Sequence, residues 1–131
     1  MSKELVEKVF KKVKDKFTYM SDIKQYDRME QWDHWADAVE AGESFSDDCD
    51  GFAITCAELL LRKGAKPHEV ALIICRLNNG EGHMVCGWSD EETTWILDNR
   101  SKAVHNWKFF PDYVWLSGMR LHEKGKWRRI R

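Results

Sequence analysis

The first segment of the chain has the hydrophobic period of an amphipathic helix. Its apolar side chains stand mostly three or four residues apart, at Leu5, Val6, Phe10, Val13 and Phe17. This spacing predicts a helix over residues 3–17 with a solvated, lysine-rich opposite face. The mixed stretch 21–41 predicts one or two short helical turns, and the polar stretch 42–48 predicts a loop.

A second helix is predicted over residues 49–63. Its apolar face is formed by Phe52, Ala53, Cys56, Leu59 and Leu60. Ser46 or Asp47 is expected to cap the first turn, with Asp50 in a reciprocal capping arrangement. Gly64 follows where a left-handed helix stop is expected.

Beyond residue 69 the period changes from helical to strand-like. Short apolar runs separated by turn signals predict strands at 70–77, 83–88 and 93–97, with further strands at 113–116 and 126–130. Helices followed by an antiparallel meander indicate an α+β fold, with all 131 residues in a single domain. A chain of this length buries roughly two-thirds of its unfolded surface, which is enough for a hydrophobic core.

Composition narrows the classes of function. Hydrophobic residues make up 43% of the chain, and 21 basic side chains nearly balance 22 acidic ones. The formal net charge of -1 gives no electrostatic reason to expect a nucleic acid or a membrane as partner. The sequence shows neither a signal-like segment nor a membrane-spanning apolar run, so we expect a cytoplasmic protein.

The four cysteines are expected to be free thiols, because the chain is neither short nor loop-rich. No two of them have the C-x-x-C spacing of a structural zinc site, and the H-x-E and P-C-x-x-C motifs of zinc deaminases do not occur. Cys56, Cys75 and Cys86 lie inside apolar segments and are expected in the core. Cys49 differs because it opens a predicted helix.

The strongest candidates for catalytic residues are Cys49, His83 and Asp98. A helix N-terminus stabilises a thiolate and offers backbone N–H groups to an oxyanion. His83 supplies a base if its strand lies against the helix start, and Asp98 then orients the imidazole. Strand alternation places His83 with Val85 and Asp98 with Ile96, so the two side chains can share one face of the sheet.

Acidic residues complicate this site. Asp47, Asp48 and Asp50 surround the cysteine, and nearby carboxylates raise the pKa of a thiol. Either these side chains cap the helix, or a cation such as calcium neutralises them. The residue pattern alone leaves both interpretations open.

Four short segments, in this order, resemble motifs of the bacterial transglutaminase-like cysteine proteinases. They are DHWA at 33–36, SDDCDGFA at 46–53, HMV at 83–85 and LDN at 97–99. The resemblance implies a papain-like or transglutaminase-core fold, in which the cysteine-bearing helix packs on an antiparallel sheet. It implies a catalytic triad in which Cys49 is the nucleophile, His83 the base and Asp98 the orienting residue.

The same resemblance implies a metal. Some members of this family cut surface adhesins in the bacterial periplasm and bind calcium through acidic residues beside the cysteine. Asp48 and Asp50 occupy those positions here, so calcium is a candidate ligand, although no cofactor is required. Two residues depart from the family pattern: Asp47 replaces a glycine, and Gly51 replaces an acidic residue. The second departure weakens the expected metal site. Because the chain is shorter than most family members and shows no export signal, a compact intracellular or phage-encoded version is expected.

Further residues are candidates for the substrate groove. Trp35 in the first motif is expected either to wall the groove or to pack in the core. A second oxyanion-hole donor is expected among four upstream residues, Gln25, Tyr26, Gln31 and Trp32. Four tryptophans further along the chain are expected mainly in the core: Trp88, Trp95, Trp107 and Trp115.

Three functions are compatible with these residues. The leading hypothesis is thiol-dependent cleavage of an amide bond in a peptide or protein, through an acyl-enzyme on Cys49. A transglutaminase reaction, which transfers the same acyl group to an amine, is the second. A non-catalytic peptide-binding module that keeps the fold is the third. All three imply a protein or peptide partner, and none specifies the oligomeric state.

Overall fold

A computed structural model describes residues 1–20 and 33–130 of the chain. The N-terminal helix α1 spans Lys3–Lys16, and the Ser2 side chain caps it by accepting a hydrogen bond from Leu5 N at 3.2 Å. Its buried face consists of Val6, Val9, Phe10 and Val13, which confirms the helical period. Within the described part of the chain, no helix is both long enough and apolar enough to cross a membrane.

Two short strands and a one-turn helix come next. Strand β1 (Phe17–Tyr19) continues directly from α1, and helix α2 covers Ala36–Glu40. Strand β2 (Phe45–Asp47) pairs in parallel with β1, and the aromatic rings that open the two strands pack with centroids 5.5 Å apart. The prediction of a loop over residues 42–48 is therefore wrong for β2. Its pairing partner is distant in sequence, so local composition does not reveal the strand.

Helix α3 (Cys49–Arg62) confirms the second predicted helix, and its middle is buried on nearly all sides. Its N-cap is Asp48, rather than Ser46 or Asp47 as the sequence suggested. The Asp48 side chain accepts a hydrogen bond, 3.0 Å long, from the backbone N–H three residues later. Gly64 follows the helix with a φ of 110°, the left-handed conformation predicted for the helix stop.

The remaining strands form one six-stranded antiparallel sheet. They are β3 (Val70–Arg76), β4 (Gly82–Ser89), β5 (Thr94–Leu97), β6 (His105–Asn106), β7 (Val114–Arg120) and β8 (Arg128–Arg129). Their order across the sheet is β6-β5-β4-β3-β7-β8. Strands β3, β4 and β5 form the predicted meander, and β7 pairs with the other edge of β3. This arrangement, with helices packed on an antiparallel sheet, confirms the α+β fold class.

The two faces of the sheet have different partners. One face packs against α1 and α3 through side chains such as Leu72, Met84 and Cys86. The opposite face, here called the outer face, carries a smaller apolar cluster: Ala71, Ile73, Val85, Ile96 and Phe110. Because side chains alternate along a strand, His83 and Asp98 belong to the outer face.

Candidate active site

Cys49 is the first residue of α3, and its thiol is half-buried. Its Sγ donates to Asp50 Oδ1 at 3.4 Å, and the backbone N–H of Met84 in β4 donates to the sulfur. Within the described part of the chain, the Cys49 N–H makes no hydrogen bond, as is usual for the first N–H of a helix. That N–H is therefore a donor for an oxyanion that forms beside the sulfur.

The contact with Met84 joins the thiol to the strand that carries the predicted base. Strand β5 pairs with β4 only along Cys86–Ser89, so the backbone of Met84 is not covered by β5. His83 immediately precedes Met84 in the strand. The thiol thus contacts the backbone of β4 one residue after His83, although among the described residues no hydrogen bond joins the Cys49 sulfur to the His83 ring.

His83 and Asp98 form a buried pair. His83 Nε2 lies 2.8 Å from Asp98 Oδ1, and the two residues are 6% and 0% exposed. Arg100 N donates to the same Asp98 oxygen at 3.0 Å, and the Tyr113 hydroxyl donates to Asp98 Oδ2 at 2.5 Å. Because Asp98 engages Nε2, Nδ1 is the ring nitrogen left to exchange a proton with the thiol.

The surroundings of Asp98 keep its carboxyl group ionised. Burial alone would raise the pKa of Asp98, but the hydrogen bond and charge of His83 outweigh it, together with the Tyr113 hydroxyl and the Arg100 N–H. The net effect holds this pKa below its usual value. Burial and then the Asp98 carboxylate raise the pKa of Tyr113, which keeps its hydroxyl a donor. An ionised Asp98 in turn favours the imidazole tautomer that carries its proton on Nε2.

The surroundings of the Cys49 thiol favour its protonated form. Burial, and then the Asp50 carboxylate, raise its pKa to about 12, while the Met84 N–H acts in the opposite direction. The acidic cluster therefore opposes thiolate formation, as the sequence suggests. A reaction at neutral pH requires that a base remove the thiol proton as the sulfur attacks.

Trp35 lies at the surface beside the start of α3. Its side chain is 42% exposed and stacks on Phe45, with ring centroids 5.9 Å apart. Its indole N–H donates to Asp47 Oδ2 at 2.9 Å, and Asp47 Oδ1 accepts a hydrogen bond from Asp48 N at 2.8 Å. Of the two expectations for Trp35, a place in the core is therefore wrong.

Asp47 and Gly51, the two residues that depart from the family motif, pack directly against each other. A Cβ atom at Gly51 would lie 2.1 Å from Asp47 Oδ2 and 2.2 Å from Asp47 Cγ. A side chain at position 51 and the observed conformation of Asp47 therefore exclude each other. The Asp47 carboxylate fills the space in which a side chain at position 51 would begin.

The other predicted site residues are placed as follows. The four upstream candidates for the second oxyanion donor, Gln25, Tyr26, Gln31 and Trp32, lie outside the described residues. Asp48 and Asp50 flank the thiol, but the described residues contain no group of three or more His, Cys, Asp or Glu side chains arranged to hold a metal ion. Calcium takes roughly six to eight oxygens, so these two carboxylates would supply only part of its shell.

Two features of the site were not predicted from the sequence. Tyr113 follows Asp98 by 15 residues and belongs to no motif. Its only signal is an aromatic ring at the start of a predicted strand. The Met84 N–H becomes a candidate donor only when the pairing of β4 and β5 is known, because every backbone N–H looks alike in a sequence.

A thiol at a helix N-terminus, in contact with the strand that carries a histidine held by a buried aspartate, fits the nucleophile, base and orienting residue of a cysteine hydrolase. The family model for bacterial transglutaminase-like cysteine proteinases (BTLCP) matches residues 1–131, and the chain belongs to this family. This match confirms the resemblance inferred from the four motifs. No curated protein matches the chain. The cytoplasmic location expected from the sequence stays a prediction.

Solved structures of Legionella pneumophila LapG are similar to this chain. One matches 90% of the chain with a TM-score of 0.69 and 21% identity. The EGTA-treated and calcium-bound forms of LapG each match 98% of the chain at 20% identity, with TM-scores of 0.73 and 0.72. This chain spans 65%, 67% and 71% of the length of these three LapG chains. At such low identity, the likeness shows a shared fold.

Proposed function

We propose that the protein hydrolyses an amide bond in a peptide or protein through an acyl-enzyme on Cys49. The observation that carries this proposal is the buried His83–Asp98 pair, because His83 directly precedes Met84, whose backbone N–H contacts the Cys49 thiol. Membership of a cysteine-proteinase family supports the same reaction class. In this proposal Cys49 is the nucleophile, His83 the general base and acid, and Asp98 the residue that orients His83.

The first half-reaction forms a thioester. His83 Nδ1 takes the thiol proton as the Cys49 sulfur attacks the substrate carbonyl carbon. The ionised Asp98 stabilises the imidazolium, and the Cys49 N–H donates to the oxyanion. His83 then gives the proton to the leaving nitrogen, the carbon–nitrogen bond breaks, and the acyl group remains on the sulfur.

The second half-reaction replaces the amine with water. His83 takes a proton from the water as its oxygen attacks the thioester carbon. The carbon–sulfur bond then breaks, the carboxylic acid leaves, and the proton returns to the sulfur. Trp35 is placed in this scheme as one wall of the substrate groove, because its exposed ring stands beside the loop that leads into α3.

Selective alkylation tests whether Cys49 is the reactive thiol. Iodoacetamide should add a single carboxamidomethyl group to the folded protein, on Cys49, because the other three thiols are buried: Cys56, Cys75 and Cys86. Replacement of the base by His83→Ala should slow this labelling at neutral pH. Intact-mass spectrometry followed by peptide mapping reads both results, and labelling spread evenly over all four cysteines would contradict the assignment.

Turnover tests the reaction itself. Cys49→Ala should lower hydrolysis by about 10⁴-fold or more, while the core variant Cys56→Ala serves as a matched control with activity in proportion to its folded fraction. Mass spectrometry of a mixture of unfolded proteins gives the cleavage products. Full activity in Cys49→Ala would overturn the proposal. Stable incorporation of a labelled primary amine, without new fragments, would assign acyl transfer in place of hydrolysis.

We also propose that Asp48 and Asp50 are ligands of calcium. A calcium-bound structure of LapG, which has the same fold, supports this assignment. Bound calcium would supply positive charge beside the two carboxylates, with backbone and water oxygens completing its shell. We expect millimolar calcium to raise the melting temperature of the protein but not that of Asp50→Asn, with Asp90→Asn as the control. Equal behaviour of wild type and Asp50→Asn would contradict the site.

A further inference from the structure

A groove crosses the outer face of the sheet, away from α1 and α3. Its floor and walls are formed by Ile73, Ile96 and Gly118 together with Trp107, Trp115 and Ile130. Its volume of about 600 Å³ is that of a ligand-binding cleft. Trp107 and Ile130 are exposed at its rim although both are large and apolar. Exposed apolar side chains around a concave surface are typical of a site that another chain covers.

Two glycines lie on the outer face of the sheet, and Gly118 is the one that lines the groove. A Cβ atom at Gly87 would approach Ile73 Cδ1 to 2.8 Å, so this position of the outer face has no room for a side chain. Gly118 differs, because a Cβ atom there would meet nothing nearer than 3.7 Å. The open space above Gly118 is therefore part of the groove, and a larger residue can be introduced there to fill it without a backbone clash.

The rim of the groove is basic. Arg120, Arg128 and Arg129 all line it. Arg128 is paired with Glu123 at 2.8 Å, whereas Arg120 contacts the neutral Ser89 hydroxyl at 2.9 Å. Within residues 1–20 and 33–130, neither Arg120 nor Arg129 has a carboxylate partner. Among the described residues these two guanidinium groups have no counter-charge. Beside an apolar floor they complement an occupant that carries both carboxylates and apolar side chains.

The groove adjoins the proposed active site through aromatic contacts. The ring of Trp115 lies 5.6 Å from the ring of Tyr113, and the Tyr113 hydroxyl donates to Asp98. His83 stands on the same face of the sheet, beyond Val85. A chain that occupies the groove therefore lies within a few side chains of the catalytic pair.

We propose that this groove is an exosite for an extended segment of the protein substrate in which acidic and apolar residues are mixed. The proposal rests on the proposed function for the identity of its occupant. The apolar side chains of that segment pack against Trp115 and Ile73, while its carboxylates pair with Arg120 and Arg129. The exosite adds affinity and selects substrates by a sequence outside the cleaved bond.

Peptide binding tests the exosite without requiring catalysis. The probe is a short fluorescein-labelled peptide of alternating glutamate and leucine, and its reference replaces every glutamate with lysine. Fluorescence anisotropy should show that Cys49→Ala binds the acidic peptide and not the basic one. Gly118→Leu, which fills the groove, and Arg129→Glu, which reverses its rim charge, should each weaken binding by about tenfold or more.

Control variants separate the exosite from other causes. Lys11→Glu reverses an equally exposed charge on α1, in a second cleft far from the outer face, and should leave binding unchanged. Each groove variant should keep its melting temperature and the alkylation rate of Cys49. Failure of the peptide to bind, equal binding by the groove variants, or loss of binding in Lys11→Glu would each overturn the proposal.

Two further results have distinct meanings. Binding of phosphatidylserine vesicles but not of the peptide, lost in Arg129→Glu, would assign the groove to a lipid surface and overturn the peptide exosite. The second result would be groove-dependent peptide binding together with a Cys49 that iodoacetamide does not label. That result would count against the hydrolase proposal and leave the binding surface established.

Discussion

The carboxyl group of Asp47 lies where a side chain at position 51 would begin. It also accepts hydrogen bonds from the Trp35 indole and from Asp48 N, so it links the exposed tryptophan to the start of the helix that carries Cys49. Asp47 thus joins two parts of the site, and its carboxyl group fits there only because Gly51 has no Cβ atom.

Gly51→Ala should destabilise the protein by about 1–3 kcal/mol, because its Cβ atom would overlap Asp47 Oδ2 at 2.1 Å. The double variant Asp47→Gly with Gly51→Ala should remove that overlap and recover part of the loss. Urea unfolding of the wild type, both single variants and the double variant measures the coupling. Additive free-energy changes would show that the two positions do not interact.

Tyr113→Phe should lower stability at neutral pH by about 1–2 kcal/mol, because it removes the hydroxyl donor to the Asp98 carboxylate. The pKa of Asp98 is held below its usual value, so its stabilising contribution is present above that usual value and is lost as pH falls through the folded one. The difference between wild type and Tyr113→Phe should therefore shrink in acid.

Urea unfolding measured from neutral to acidic pH tests this dependence, with the exposed Tyr19→Phe as the control. A difference between wild type and Tyr113→Phe that stays constant down to the lowest pH would show that Asp98 ionisation is not involved.

Among the secondary-structure elements, α1 supports the site from a distance. Lys14 in its last turn donates from Nζ to the backbone carbonyl of Asn99, next to Asp98 in the loop that leaves β5. The helix therefore braces the segment that positions Asp98, although no residue of α1 belongs to the site itself.

Lys14→Met should keep the packing of the lysine stem but remove this hydrogen bond. We expect a loss of about 0.5–1.5 kcal/mol in unfolding free energy and faster amide exchange at Arg100, whose N–H donates to Asp98. Hydrogen exchange followed by mass spectrometry compares Lys14→Met with the control variant Lys12→Met, which lies on the exposed side of the same helix. Unchanged exchange in the Arg100 segment of Lys14→Met would contradict the bracing role.

Over the whole molecule, helices α1 and α3 share one apolar cluster with the inner face of the sheet. Because that cluster joins the beginning, middle and end of the described chain, we propose that residues 1–131 form one domain that unfolds in a single step. The family model covers the same range. The chain spans 65% of the length of one LapG chain.

Leu60→Ala should destabilise the whole domain by about 2–5 kcal/mol, because Leu60 is fully buried between the helices and the sheet. Circular dichroism at a helical wavelength and tryptophan fluorescence should then report the same, lowered melting temperature. Leu61→Ala, on the more open side of the helix, is the matched control. Separate transitions by the two probes would divide the chain into independent units.

The local sequence pattern determined the helices, the meander and the positions of Cys49, His83 and Asp98 within these elements. The helical period placed Cys49 at the start of α3, and strand alternation placed His83 and Asp98 on one face, where the structure joins them at 2.8 Å. These features follow from spacing within one or two elements, so a pattern along the chain contains them. The roles assigned to the three residues stay predictions until Cys49 is tested.

Only the tertiary structure decided the contacts between elements distant in sequence. It paired β1 with β2, directed the Met84 N–H to the thiol and brought Tyr113 to Asp98. It also placed the Asp47 carboxylate over Gly51. Each of these contacts depends on strand register or on which backbone groups stay unpaired. The same amino-acid pattern is compatible with several registers and pairings, so it does not determine them. The sequence thus predicted which side chains are candidates for the chemistry, and long-range packing decided how those side chains are held.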